Sequence, residues 1–234
     1  VPGGKAIWEE VANGKIDAGG FSLNGKWVPL YNIHKTYAGL RDAYLYAHNQ
    51  EAKEMLIKMT DWAIKLVAQL SEVQIQDMLR SEHGGLNETF ADVAAITGDK
   101  KYLALAHQFS QQLILDPLLS HEDKLTGMHA NTQIPKVLGF KRIADIEGNQ
   151  SWNDAARFFW DTVVENRSVA IGGNSVGEHF NPTNDFSRMI KSIEGPETCN
   201  TYNMLRLSKM LYQTSQDKKY MDYYEKALYN PCIF

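Results

Sequence analysis

Apolar side chains recur three and four positions apart along most of this chain, the spacing of helices that bury one face. Met204, Leu205, Leu207, Met210 and Leu211 show it clearly. The pattern predicts helices over 34–47, 86–96, 129–146 and 197–212. Each is followed by a second, over 51–70, 100–114, 152–166 and 218–230. Strands leave little trace, and the best candidate is the short run "SVAIGG" over 168–173.

Between the two helices of each pair lies a short polar segment. "AHNQEAK", "TGDKKYL", "EGNQSWN" and "SQDKKYM" align without gaps. Their third residues, Asn49, Asp99, Asn149 and Asp217, are spaced by 50, 50 and 68 positions. In each, a Gly or polar residue suits the end of one helix, and Asn or Asp suits the N-cap of the next. The repeating unit is therefore a helical hairpin, present four times. Stacked hairpins build an open solenoid or a closed α/α toroid. The expected fold is all-α, an incomplete (α/α)6 toroid of hairpins with one long loop or short strand insertion. Residues 1–234 are expected to be part of one toroid domain, with upstream and downstream parts absent.

In a toroid the first helices of the hairpins form the inner ring, and their N-termini gather at one mouth. The residues expected there carry chemistry: His34, His83 beside Glu88, His129, and Glu197 with Cys199. The surplus length in the last interval also falls at this end. It lies in the Gly-, Pro- and Asn-rich stretch 170–196, which carries Glu178, His179 and Phe180. Each residue has a plainer reading. A single histidine serves as a cap or core residue more often than as a ligand, acids favour the first turn of a helix, and a lone cysteine is usually a small buried hydrophobe. Trp27, Tyr31 and Phe180 suit sugar stacking, but core packing is the simpler expectation for each.

Composition narrows the partners. The 234 residues carry a net charge of −4 with dispersed charges, which gives no electrostatic footprint for nucleic acid. No apolar stretch approaches the ~18 residues of a membrane span. Two cysteines, Cys199 and Cys232, are too few for a disulfide framework. The first residues do not read as a signal peptide. A start at Val1 implies a chain processed or cut from something longer. The compartment stays open, with an extracellular or periplasmic place preferred to a cytoplasmic one.

Five spaced motifs, "LYNIHKTYAGLRDAY", "EHGGLNETFADVAAITGDKKYL", "GMHANTQIPKVLG", "AIGGNSVGEHF" and "ETCNTYNMLRL", give the chain a family likeness. It resembles the β-L-arabinofuranosidases of glycoside hydrolase family 127 over nearly its whole length. The resemblance implies an α/α toroid with a retaining glycosidase site that acts on plant-type oligo- or polysaccharides, in the manner of bacterial polysaccharide degraders. By position, Glu197 resembles the acid/base and a zinc ligand, and Cys199 a second zinc ligand. Glu178 resembles the other catalytic carboxylate. His34, His83 and His129 resemble the histidines that bind the sugar. The implied cofactor is zinc. The implied partners are the glycan and the remainder of the parent chain, a β-rich domain among them.

The chain departs from that family in one respect. The family nucleophile is a zinc-bound cysteine in a Cys-Cys pair downstream, and this chain has no such pair. Cys232 does not match it, so no nucleophile is assigned. Four hairpins also fall short of six. The chain is expected to be a piece of a longer enzyme, binding zinc weakly and turning over little alone; a degenerate member without zinc is the other account. Two further readings stand beside the hydrolase. One is another α/α-toroid carbohydrate enzyme, of the unsaturated glucuronyl hydrolase or sugar epimerase type, in which Cys199 would be dispensable. The other is a non-catalytic helical-repeat scaffold.

Overall fold

The structure, a computed structural model, describes residues 3–230. Among them are α1 (Gly4–Ala12), the short strands β1 (Ala18–Gly19), β2 (Ser22–Leu23) and β3 (Lys26–Trp27), α2 (Pro29–Ala47), α3 (Gln50–Val67) and α4 (Glu72–Met78). They continue with α5 (Leu86–Thr97), α6 (Lys100–Gln108), α7 (Gln112–Leu119), α8 (Ala130–Glu147), α9 (Gln150–Asn166), α10 (Ser187–Lys191), α11 (Thr198–Ser215) and α12 (Lys218–Tyr229). The fold is all-α apart from one antiparallel meander in the order β1-β2-β3. None of the described helices is long and apolar enough to cross a membrane. Cys232 lies outside the described residues.

The four hairpins are α2/α3, α5/α6, α8/α9 and α11/α12, each closed by the same two-residue turn. The first helix ends on a residue in the left-handed region: His48 at φ 53°, Gly98 at 75°, Gly148 at 67° and Gln216 at 55°. The next residue is extended and caps the second helix. Asn49, Asp99, Asn149 and Asp217 accept from the backbone N–H of Ala52, Lys101, Trp152 and Lys219 at 3.0–3.2 Å. Two of the turns use glycine, which enters this region without a Cβ penalty. His48 and Gln216 enter it with one. His48→Gly and Gln216→Gly are each expected to stabilise by about 0.5–1 kcal/mol, after allowing for the added freedom of the unfolded chain. Chemical-denaturation midpoints check this, and a fall in midpoint would contradict it.

The chain divides into two compact units, Val1–Gln112 and Leu113–Phe234. In the first, Tyr37, Phe90 and Phe109 form an edge-to-face ladder with centroids 5.0–5.2 Å apart. Burial pushes the Tyr37 phenol well above its usual range, and its hydroxyl donates to Met59 O. Arg41 of α2 lies buried against α5, 3.0 Å from Asp92 and 3.5 Å from Glu88. In the second unit, α8, α9, α11 and α12 close around Trp160. Its indole N–H donates to Ser208 Oγ at 2.7 Å, and its ring meets Tyr220 and Tyr223 edge-on at 4.7 and 5.5 Å.

Several boundaries differ from the sequence reading. The 100–114 segment is two helices, α6 and α7, broken at Ser110, whose hydroxyl turns back to Ala106 O. The run 168–173 is not a strand. Only a single bridge, Ser168 to Asn174, forms there. Gly172, at φ 99° with no room for a Cβ beside Ala227, turns the chain, and Ile171 faces solvent. The strands lie instead before α2, turned by Asn24 and Gly25 at positive φ, an Asn-Gly hairpin signal. Helix α2 begins five residues before His34, at Pro29, so that histidine sits in the second turn rather than at the helix start.

Candidate active site

The first unit brings His34 and His83 together through glycine. His83 is fully buried, with Nδ1 3.0 Å from Ser81 O. Gly84 follows at φ 56°, and a Cβ there would overlap the His34 ring. The backbone of the His-Gly-Gly turn thus lies directly on the imidazole. Tyr31 packs beside His34 at 6.2 Å. Glu88 faces the Arg41 guanidinium.

The second unit gathers the remaining candidates around the start of α8. His129 is the residue before that helix, and Glu197 the residue before α11. The long loop supplies a strap between them. Gly127 N–H donates to Phe180 O, Phe180 N–H to Met128 O and Ala130 N–H to Glu178 O, at 2.8–2.9 Å. The strap is anchored by Phe180, 2% exposed, which meets Phe159 edge-on at 6.3 Å. Phe180 is therefore a core residue, as the simpler expectation held, while Trp27 stands 71% exposed instead of packed.

With the strap fixed, Glu178 has nowhere to retreat. Its backbone is left-handed at φ 66°, unusual outside glycine and a mark of a position held by its surroundings. Its carboxylate Oε2 lies 3.3 Å from His129 Nε2, and the side chain is 61% exposed. Its backbone N–H donates to Glu197 Oε1 at 2.9 Å. The Cys199 thiol donates to Glu197 Oε2 at 3.4 Å. Both oxygens of Glu197 are thus acceptors, whereas Glu178 is open to solvent and to a histidine. His179, for which the sequence reading named no role, stacks edge-on against His129 at 5.4 Å. Its signal was its place in "EHF", one residue from the carboxylate and one from the anchor.

Partial desolvation, and then the hydrogen bond and charge of Glu197, push the Cys199 thiol above its ordinary value. Cys199 is expected to alkylate with iodoacetamide only at pH above that of an ordinary thiol, ~8.5. Glu197→Gln removes the repelling charge and moves the profile to lower pH. Peptide mass spectrometry, which separates Cys199 from Cys232, gives the readout. An unchanged profile would remove Glu197 as the cause.

Zinc coordination needs more than these residues provide. A tetrahedral structural site takes four ligands. Glu197 and Cys199 offer two, and no group of three or more His, Cys, Asp or Glu among the described residues is arranged to hold a metal. The donor set that the resemblance implies is incomplete here.

Comparison with known proteins gives a consistent picture. No curated protein matches the chain. The crystal structure of a GH127 β-L-arabinofuranosidase from Geobacillus stearothermophilus T6 matches 97% of it with a TM-score of 0.64 at 18% identity. A second GH127 β-arabinofuranosidase matches 97% with a TM-score of 0.55 at 16% identity. At these identities the likeness establishes the fold, and the chain spans 42% and 48% of those two chains. The family model described as β-L-arabinofuranosidase, GH127 catalytic domain, matches residues 7–233. With that match running nearly end to end, the chain belongs to the GH127 β-L-arabinofuranosidase catalytic-domain family.

Proposed function

We propose that this chain supplies the proton-transfer side of a retaining β-L-arabinofuranosidase site acting on plant-type glycans. The observation that carries the reading is the strap holding Glu178 against His129 with Glu197 behind it. Glycoside cleavage needs a carboxyl group that protonates the leaving oxygen and later takes a proton from water. Glu178 suits that task better than Glu197. Its carboxylate is exposed to an incoming ligand and lies 3.3 Å from His129 Nε2, close enough for a histidine to orient it. Glu197 has one oxygen occupied by a backbone N–H and the other by a thiol, an arrangement that favours an acceptor or a ligand. This distributes the two roles differently from the resemblance, in which Glu197 holds both.

His129 then orients Glu178. Zinc at Glu197 and Cys199 requires two further donors from beyond the described residues, and no step is drawn through it. The chain by itself is expected to turn over little.

The test is an assay of the full-length enzyme on aryl L-arabinofuranosides of both anomers, with the first-formed product followed by NMR. Cleavage of the β anomer with retained configuration is expected. Inversion, or activity confined to another glycoside, would overturn the reading.

A further inference from the structure

The strap that carries Glu178 also borders a cavity. The cavity has a volume of about 460 Å³ and is lined by Val176, His179, Phe180, Asn181, Asp185 and Arg188 with three further residues. That volume lies within the range of ligand pockets, which combine apolar walls with a few convergent polar groups.

Two of the polar groups are not satisfied by protein. Asn181 is 5% exposed. Its amide Nδ2 donates to Pro182 O and Asp185 O, yet its Oδ1 accepts from no donor among the described residues. A buried acceptor without a donor is costly unless a ligand or water supplies one. Arg188, on α10, forms no ion pair among the described residues. Asp185 is already committed to its ionised form: the Ser187 hydroxyl and backbone N–H hold it below the usual carboxylate range. One guanidinium and one carboxylate balance in charge. Such a lining suits hydroxyl groups, which both donate and accept, better than a carboxylate or phosphate.

His179 ties the cavity to the chemistry. Its ring lines the cavity and also packs on His129, which faces the Glu178 carboxylate. Glu178, the group proposed to protonate the leaving oxygen, is not in the lining itself but precedes His179 in the strap and meets the same His129 ring. We propose that the cavity is the subsite for the departing sugar, a neutral unit whose hydroxyls meet Arg188, Asp185 and Asn181 beside Val176 and Phe180. This rests on the proposed glycosidase function.

The test compares two substrates in the full-length enzyme: an aryl β-L-arabinofuranoside and a disaccharide with the same non-reducing sugar. Arg188→Met and Asp185→Asn are expected to lower kcat/KM on the disaccharide at least tenfold more than on the aryl glycoside, mainly through KM. Equal effects on both substrates, or none, would overturn the subsite. If the wild-type enzyme cleaves neither substrate, the glycosidase reading fails, and calorimetric titration with the disaccharide decides the subsite separately. Binding weakened tenfold by Arg188→Met supports it, and unaltered or absent binding rejects it. Circular dichroism of both variants controls for folding, which the exposed position of Arg188 should preserve.

Discussion

Glu178→Gln is expected to lower turnover of natural glycosides by about 10²–10⁴-fold, the usual contribution of a positioned acid or base. The loss depends on the leaving group. A sugar alkoxide is a poor leaving group and needs the proton, whereas a nitrophenolate leaves without it. Bond cleavage in activated aryl glycosides is therefore expected to be nearly spared, and a plot of log kcat/KM against leaving-group pKa becomes steep in the variant. Glu197→Gln acts differently. It withdraws the acceptor that holds the Glu178 backbone N–H and the Cys199 thiol, so activity falls across all leaving groups by a similar factor. The two profiles assign the roles. A steep plot for Glu197→Gln with a flat one for Glu178→Gln would return the proton to Glu197.

Arg41→Ala is expected to be the most destabilising single change in the first unit, by about 3–5 kcal/mol. The guanidinium faces two carboxylates that are nearly as buried as itself, with side-chain exposures of 11% for Arg41, 7% for Glu88 and 13% for Asp92. Burial alone would favour a neutral Arg41, but Glu88 and Asp92 outweigh it and hold the group firmly charged. Removing it leaves two negative charges in a poorly solvated position. Asp92→Asn in the same background should recover part of the loss, and the shortfall from additivity measures the coupling. Denaturant midpoints of the four proteins supply the cycle. Strict additivity would show that Arg41 contributes packing rather than charge. Arg41 also pins α2 to α5, so its loss should loosen the contact between His34 and the Gly84 backbone.

The hairpins were legible in the sequence because one local code recurs in all four turns. A left-handed C-cap followed by an Asn or Asp N-cap is a short-range signal that needs no tertiary context. The pieces between hairpins were not legible. Helices α4, α7 and α10 span seven, eight and five residues, too few for a period to show. The strands are two residues each, below any alternation. The run at 168–173 looked like a strand because Val169, Ala170 and Ile171 are apolar, but Gly172 turns it against Ala227. The start of α2 carried an unused cue, Pro29 at the first helical position. The candidate residues were legible as types, and their grouping within each unit was not. Nothing in the sequence shows that Phe180 nails the strap down, and so nothing shows that Glu178 meets His129.

The four identical turns also govern how this fold can change. A two-residue link with both dihedral positions committed has no slack to absorb an insertion. Each hairpin behaves as a cassette of fixed gauge at its closed end. Length differences among the repeats fall in the helices and in the connections at the open end, and these connections include the strap and its neighbouring cavity. New specificities can therefore be grafted by varying the length of 182–196, with Glu178 and the Phe180 anchor kept so that the cassettes fold as before.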